Sequence, residues 1–483
     1  MNYRKMIAPA VVIAGLCGLG VSPAFAEDTS PVEQCPGEPS SCVRLNGGGS
    51  SAATPFMNEV PLVILDQGNA GGTLHYPVHY LSTNGKRATW TGTRGGGVTP
   101  TIIRYEATGS ADGIQKLQHP VADSGSFMTY VDHSSPGTTC DAPLFLTNPV
   151  NGKKYFEYRN CTATVQYGMT MGMSDVNGSS FHQSSPGPTG TIIKNPLSMT
   201  GLKSTQVAQI PWTIVLGAAV QKVVNGVHQN VQNLTRTQVE EIFSGIAYDW
   251  TQLGLVVVDS SETIHNTLGD APITLCLRQA GSGSKAGFDE TTMKDASEVT
   301  TGTVDLSGSA SGVYYYGAST QDVVDCIQGN TGRPAHRDAA GYIDRDTAEL
   351  YDGVGTGTVK LISDPGKWWD GKPAIYPVNL NGLSAHDMNE TDHKIHVKCG
   401  EYLYFAGERE NVRSGTDPGI DGGATSGPVH TLATAFTTAS SAASSITEMP
   451  AGAFWVANSD MYVSKNLDGG PIVPNDAENP CNH

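Results

Sequence analysis

The sequence predicts an α/β protein, and two observations carry that reading. Apolar runs of strand length alternate with helix-like segments along most of the chain. Glycine (57 residues) and proline (28) are plentiful while charged residues make up only 16% of the total, which favours many turns and long loops over a helical bundle. A length of 483 residues allows two to three domains.

The N-terminus reads as an address. Arg4 and Lys5 precede an apolar or small run from Ile7 to Val21, and Ala24-Phe25-Ala26 supplies the small-x-small site of a leader peptidase. Residues 1–26 are therefore expected to be a cleaved signal peptide. The mature chain would begin near Glu27, in the periplasm or outside the cell. Cys17 makes a poor lipidation site, because bulky Leu16 stands where a small residue is needed. No later stretch reaches the roughly 18 apolar residues of a membrane span.

Loss of Arg4 and Lys5 takes the formal charge from −17 to −19. So acidic a chain suits neither nucleic acid nor an anionic membrane. A small anion is not excluded. Inside a closed cleft, local N–H dipoles and one cation decide, and salt screens charges beyond about 10 Å. Eight cysteines follow the signal, an even number that predicts up to four disulfides in an exported chain. Nearness in sequence singles out Cys35–Cys42 and Cys140–Cys161. The absence of CxxC and CxxCH argues against a dithiol redox site, a zinc ribbon and c-type haem, and no cofactor is expected.

Along the chain, residues 27–43 read as a polar, disulfide-tied leader. Val60 to Asp66 (VPLVILD) and Thr101 to Glu106 read as strands, and 120–200 as loops and hairpins rich in Gly, Ser, Thr and Pro. Ile210 to Val220 suits a central strand. Thr235 and Gln238 form a capping box ahead of a helix whose Val239, Ile242, Phe243 and Ile246 share a face, with Gly245 as the stop. Further strands are expected near Ile273–Arg278, Gly341–Asp344, Ile375–Asn379 and Tyr402–Phe405, and a late helix over 431–447.

Three turns carry the chemistry: Gly47-Gly48-Gly49-Ser50-Ser51-Ala52, Gly109-Ser110-Ala111-Asp112-Gly113, and Arg278-Gln279-Ala280-Gly281-Ser282-Gly283-Ser284 running into Phe288. Each can sit between a strand and a helix N-terminus, where free N–H groups attract an anion. Glycine permits close approach, serine adds hydroxyl donors, and Arg278 adds a two-pronged charged donor. Any one of them alone is also an ordinary surface turn.

The order of these turns resembles the PstS-like phosphate-binding proteins of ABC transporters, within the periplasmic binding protein superfamily. The resemblance runs in patches over about 45–405. LNGGGSSAATPFM (45–57) and IRYEATGSADGIQ (103–115) look like the family's first two turns. NLTRTQVEEIFSGIAYDWTQL (233–253) resembles its helix–Gly–Trp segment, the most specific stretch. Residues 278–288 resemble its Arg-x-x-Gly-Ser-Gly-Thr turn, and Gly341-Tyr342 its Ile-Gly-Tyr strand.

The resemblance implies a two-lobed fold with mixed sheets, extra loop insertions and a ligand cleft between the lobes. One lobe would combine 44–205 with 375–483 and the other would span 206–374, joined by crossover strands near Gln209–Val215 and Ile375–Asn379. It implies an oxyanion ligand, phosphate first, and an ABC permease in the inner membrane as partner to a monomeric binding protein. Ser51, Ala52, Ser110, Arg278, Ser282, Gly283 and Ser284 would bind the oxyanion. The family's Ser-Asp-x-Pro aspartate, which accepts the proton of hydrogen phosphate, has no direct match when the chain is aligned on Pro136; Ser134 stands in its place and Asp132 is the nearest substitute. The family's aspartate inside the arginine turn is replaced by Ala280.

Three other readings compete. A surface or adhesive protein could keep the fold without the transport role. Ser282-x-x-Lys285 fits the S-x-x-K of acyl enzymes, without its K-T-G partner. His386, Asp387, Asp392, His393 and His396 cluster like metal ligands, without a known zinc signature.

Overall fold

The computed structural model describes residues 35–38, 41–70, 73–148, 151–181, 196–294, 314–329, 334–345, 375–387, 390–414, 427–442, 455–465, 467–475 and 481. The signal peptide lies outside them. The strands that matter for the site are β1 (Val43–Gly49), β2 (Thr99–Ala107), β3 (Met171–Ser174), β4 (Leu202–Gly217), β5 (Thr274–Arg278), β6 (Tyr314–Gly317), β7 (Ala339–Asp344) and β8 (Phe405–Arg413). The helices beside them are α1 (Thr54–Ile64), α2 (Arg236–Phe243), α3 (Gly283–Phe288), α4 (Thr320–Gln328) and α5 (Pro428–Ser441).

Among the described residues all eight strands belong to one mixed sheet of 15 strands, in the order β6-β5-β7-β4-β8-β3-β1-β2 and on into the Arg87–Arg94, Val78–Ser82, Lys154–Cys161 and Leu144–Thr147 strands. The expected α/β architecture with mixed sheets is what the chain adopts. Two parallel triplets stand on either side of an antiparallel centre. β3, β1 and β2 are parallel on one side, and β6, β5 and β7 on the other. The 16-residue β4 pairs antiparallel with both β8 and β7 and so joins the triplets. Ile375–Leu380 pairs with the far end of β4, while the strand that runs beside β4 through the centre is β8.

Several expectations change. Val60–Asp66 is mostly the second half of α1, not a strand. Pro55 opens this helix at its first turn, and a short apolar run reads alike in a buried helix and a buried strand. The strand expected near Tyr402–Phe405 starts at Phe405 and continues to Arg413, beyond the apolar run that suggested it. The described residues of the 120–200 region hold five strands, one of them the central β3. α2 carries the expected capping box, but it ends at Phe243 and leaves Ile246 70% exposed. Among the described residues no helix is long and apolar enough to cross a membrane.

Four disulfides staple the chain: the two expected pairs, plus Cys276–Cys326 and Cys399–Cys481. One large apolar cluster fills both sides of the sheet. Within it Phe243, Phe288, Tyr342 and Tyr404 stack or meet edge-on, with centroids 4.4 to 6.3 Å apart. Their contacts pin α2 and α3 against β7.

Glu410 of β8 is buried against α5, where Thr437 Oγ1 donates to its Oε2 (2.6 Å). Burial pushes this carboxyl up to about 8. The folded state therefore holds a proton that the unfolded chain releases above about 4.5, and stability falls as pH rises from there to about 8. Glu410→Gln mimics the protonated acid. Thermal melts should show the variant equal to the parent at pH 4 and more stable at pH 8.

Candidate functional site

The carboxyl ends of the two parallel triplets point at one place, where open α/β sheets bind ligands. β1 ends at Gly49 and runs into Ser50-Ser51. β2 runs into Gly109-Ser110, and β3 into Asp175. From the other triplet, Arg278 is the last residue of β5, Asp344 the last of β7, and Thr320 the first of α4, just after β6.

Gly49 is needed at the first turn. Its φ of 124° belongs to glycine, and a Cβ there would strike the carbonyl of Met173. Gly47 and Gly48, by contrast, are strand residues whose missing side chains make room for Met171 and Met128. Gly109 (φ 147°), two residues after β2, plays the same part in the second turn. A Cβ on it would lie 3.1 Å from Gly281 O, and that carbonyl accepts from the N–H of Ala111 (3.1 Å). The second and third turns therefore touch directly.

Arg278 links all of this. It is 1% exposed. Its Nη2 donates to Ser51 Oγ (3.3 Å) across the two triplets, and its Nη1 donates to Thr320 Oγ1 (2.9 Å) and Ser284 Oγ (3.5 Å). Both hydroxyls pass on to Asp344, Thr320 to Oδ2 (2.7 Å) and Ser284 to Oδ1 (3.3 Å). Asp344 is thus joined to the arginine through two hydroxyls, while Ala280 offers it no carboxylate. The Nε–H of Arg278 is buried and has no partner among the described residues.

Ser110 Oγ accepts from the N–H of Asp175 (3.3 Å). Ser282 is the N-cap of α3, and its hydroxyl accepts from the N–H of Lys285 (3.3 Å). Gly283 lies against the opposite turn. A Cβ on it would come within 2.6 Å of Asp175 Oδ2 and closer still to Ser110 Oγ. Ala52 is buried in the turn that leads into α1. Ser51, Ser110, Arg278, Gly283 and Ser284 thus come together, with Ala52 and Ser282 in the turns that carry them.

Asp132 lies elsewhere. It follows the Phe127–Val131 strand of a separate two-stranded ribbon, and its carboxylate accepts from the N–H of Ser134 (2.9 Å). Besides Asp344, two buried acids gather here, Asp175 near Arg278 and Glu408 beside Asp175; neither was among the site residues read from the sequence. Ser50 Oγ donates to Asp175 Oδ1. Burial first, then the nearby Asp344, raises the Asp175 carboxyl above its ordinary range. Glu408 is pushed well above its own, by burial and then by Asp175. A signal for Asp175 was present: Ser174-Asp175 at the end of a strand is a Ser-Asp pair.

No protein-family model and no curated protein matches the chain. Solved structures do show similarity. One is a protein from Clostridium perfringens assigned as a phosphate ABC transporter substrate-binding protein, with phosphate bound. It is 14% identical over 86% of this chain and 99% of that one, with a TM-score of 0.41. An ABC-type phosphate transport receptor from Vibrio cholerae is 13% identical, over 84% and 98%, with a TM-score of 0.36. PstS from Borrelia burgdorferi is 12% identical, over 86% and 98%, with a TM-score of 0.35.

The rival motifs find other uses. Lys285 Nζ lies 3.5 Å from Asp289 Oδ2, and the Ser282 hydroxyl serves as a helix cap. His396 bridges Asp387 (3.4 Å) and Glu401 (2.7 Å), while Asp392 pairs with Lys398 (2.7 Å). Among the described residues no grouping of three or more His, Cys, Asp or Glu could hold a metal ion.

Proposed function

We propose that this chain is an exported solute-binding protein that captures a tetrahedral oxyanion, phosphate first, and delivers it to an ABC-type permease in the membrane. One observation supports this above the others. A buried arginine in the third glycine-serine turn reaches Ser51 in the first and keeps an Nε–H without a partner among the described residues, while the second turn bonds to the third. Such a set offers an oxyanion charged and neutral donors in a dry setting, where each is stronger than in water. Ser51, Ala52, Ser110, Arg278, Ser282, Gly283 and Ser284 form the proposed site, and no catalytic step is needed.

The acid that accepts the proton of hydrogen phosphate is proposed to be Asp175, not Asp132. A fully ionised sulfate has no proton to offer it, so the pair Asp175–Glu408 disfavours sulfate. The two lobes correspond in this reading to the two parallel triplets, with β4 and β8 as the strands about which they close. Calorimetry on ligand-stripped protein tests the whole. Phosphate and arsenate should bind and sulfate should not. Binding of none of them ends the transport reading, and equal binding of sulfate removes the role given to Asp175.

Gly283→Ala makes a finer test. Position 283 has no positive φ, so alanine suits its backbone, and the new methyl group acts only as a wedge against Ser110 and Asp175. Phosphate affinity should fall about tenfold or more, equivalent to about 1.4 kcal/mol. An unchanged phosphate titration would place the ligand elsewhere.

A further inference from the structure

We propose that the chain has a second ligand site, for a small carboxylate with a short apolar chain, in a cavity beside β4 and β8. Side chains alternate along β8, so Gly407 and Arg409 face this cavity while Glu408 turns to the site around Arg278. The cavity measures about 310 Å³, at the small end of ligand pockets. Its walls come from β4, the start of β8 and the C-terminal 458–475 segment.

Its polar side is already arranged. Gln206 and Gln209 both donate to Asn458 Oδ1 (3.0 Å each), and Asn458 Nδ2 donates back to Gln206 O (2.7 Å). Arg409 Nη2 donates to Gln206 Oε1 (3.3 Å) and lies 3.8 Å from Asp468 Oδ1. The Nε–H of Arg409 is buried and has no partner among the described residues. Lys465 donates to Phe405 O (3.1 Å) and stands 3.5 Å from the centre of the Phe405 ring.

Charge decides what the site takes. Arg409 and Lys465 face a single carboxylate, Asp468, whose Oδ2 is already occupied by the N–H of Asn177 (2.7 Å) and Ser180 Oγ (2.6 Å). With Lys465 protonated, one positive charge is left over, in a chain whose net charge is −17. Burial lowers the Lys465 amine to about 7 despite Asp468, and a bound anion would restore its proton. Phe405, Met461 and Val463 supply an apolar wall, which a carbon chain fills and an inorganic anion does not. Asp468 has no free oxygen pair for an ammonium group, so a monocarboxylate fits better than a zwitterion.

The test uses the full chain saturated with phosphate, titrated with pentanoate and, separately, with pentanol as its uncharged match. Pentanoate should bind at one site, at least tenfold tighter than pentanol. Lys465→Met keeps the aliphatic stem over Phe405 and removes the charge, and it should weaken pentanoate at least tenfold with little change in melting temperature. Arg409→Gln should do the same, and if that variant does not fold, Lys465→Met decides. The proposal is overturned if pentanoate does not bind, if pentanol binds as tightly, or if Lys465→Met binds pentanoate like the parent. Phosphate titrations of the same variants should be unchanged, which separates this site from the one around Arg278.

Discussion

Arg278→Ala is expected to lower phosphate affinity by about thirtyfold to a few thousandfold. Removing one partner from a buried, hydrogen-bonded charge pair costs about 2–5 kcal/mol, and each 1.4 kcal/mol is about tenfold. Arg278 is the only cation among the groups that its side chain ties together: Ser51, Ser284, Thr320 and, through two hydroxyls, Asp344. The same change leaves Asp344 buried without that counter-charge, so stability should fall by about 3–5 kcal/mol. Arg278→Lys separates the two effects. A lysine keeps the charge near Asp344 but cannot reach Ser51, Thr320 and Ser284 at once, because an ammonium is a point charge and a guanidinium a planar fork. Its melting temperature should lie close to the parent's while its phosphate affinity stays at least tenfold lower. A folded Arg278→Ala protein with parental phosphate affinity would place the ligand elsewhere.

The donors of this site were legible because they are local. A glycine and a serine directly after a strand can be read without knowing what lies opposite them. The acids were not, because their position depends on which strands become neighbours. Asp132 and Asp175 each follow a strand. Only the parallel pairing of β3 with β1, at Gly47–Gly49 opposite Met171–Met173, puts Asp175 beside Ser50. Glu408 is less visible still. It comes from an antiparallel strand more than two hundred residues further on, and the β3–β8 register, Ser174 opposite Arg409, sets it next to Asp175.

The same limit explains the strand that was cut short. Phe405–Arg413 carries Glu408, Glu410, Asn411 and Arg413, all of them buried. Hydropathy loses such a strand after its first residues, although it runs through the centre of the sheet. A central strand with that many buried polar groups needs partners for them on both faces. The acids beside Arg278 and the Thr437 contact with α5 lie on one side, and the Arg409 cavity lies on the other. Two of the polar residues that hide β8 from a sequence reading, Glu408 and Arg409, thus stand at the two proposed sites.

The Cys276–Cys326 disulfide should matter to function as well as to stability. Cys276 stands two residues before Arg278 on β5, and Cys326 lies on α4, whose first residue is the Thr320 that receives Arg278 Nη1. The bridge therefore fixes the two elements whose contact aims the guanidinium. Both sulfurs sit in an apolar cluster with Val323, Val324, Ile327 and Ile343, which holds the strand–helix contact from the same side. Closing a separation of 50 residues corresponds to about 4 kcal/mol of unfolded-chain entropy, against about 2 kcal/mol for the 7 of Cys35–Cys42. Cys276→Ala/Cys326→Ala should lose correspondingly more stability in denaturant titrations than Cys35→Ala/Cys42→Ala. It should also weaken phosphate binding, since Arg278 becomes freer to leave Thr320, whereas the N-terminal pair lies outside the site and its loss should leave affinity unchanged. Equal losses of stability in the two variants would refute the loop-entropy account. Parental phosphate affinity in the Cys276→Ala/Cys326→Ala protein would show that β5 and α4 aim Arg278 without the bridge.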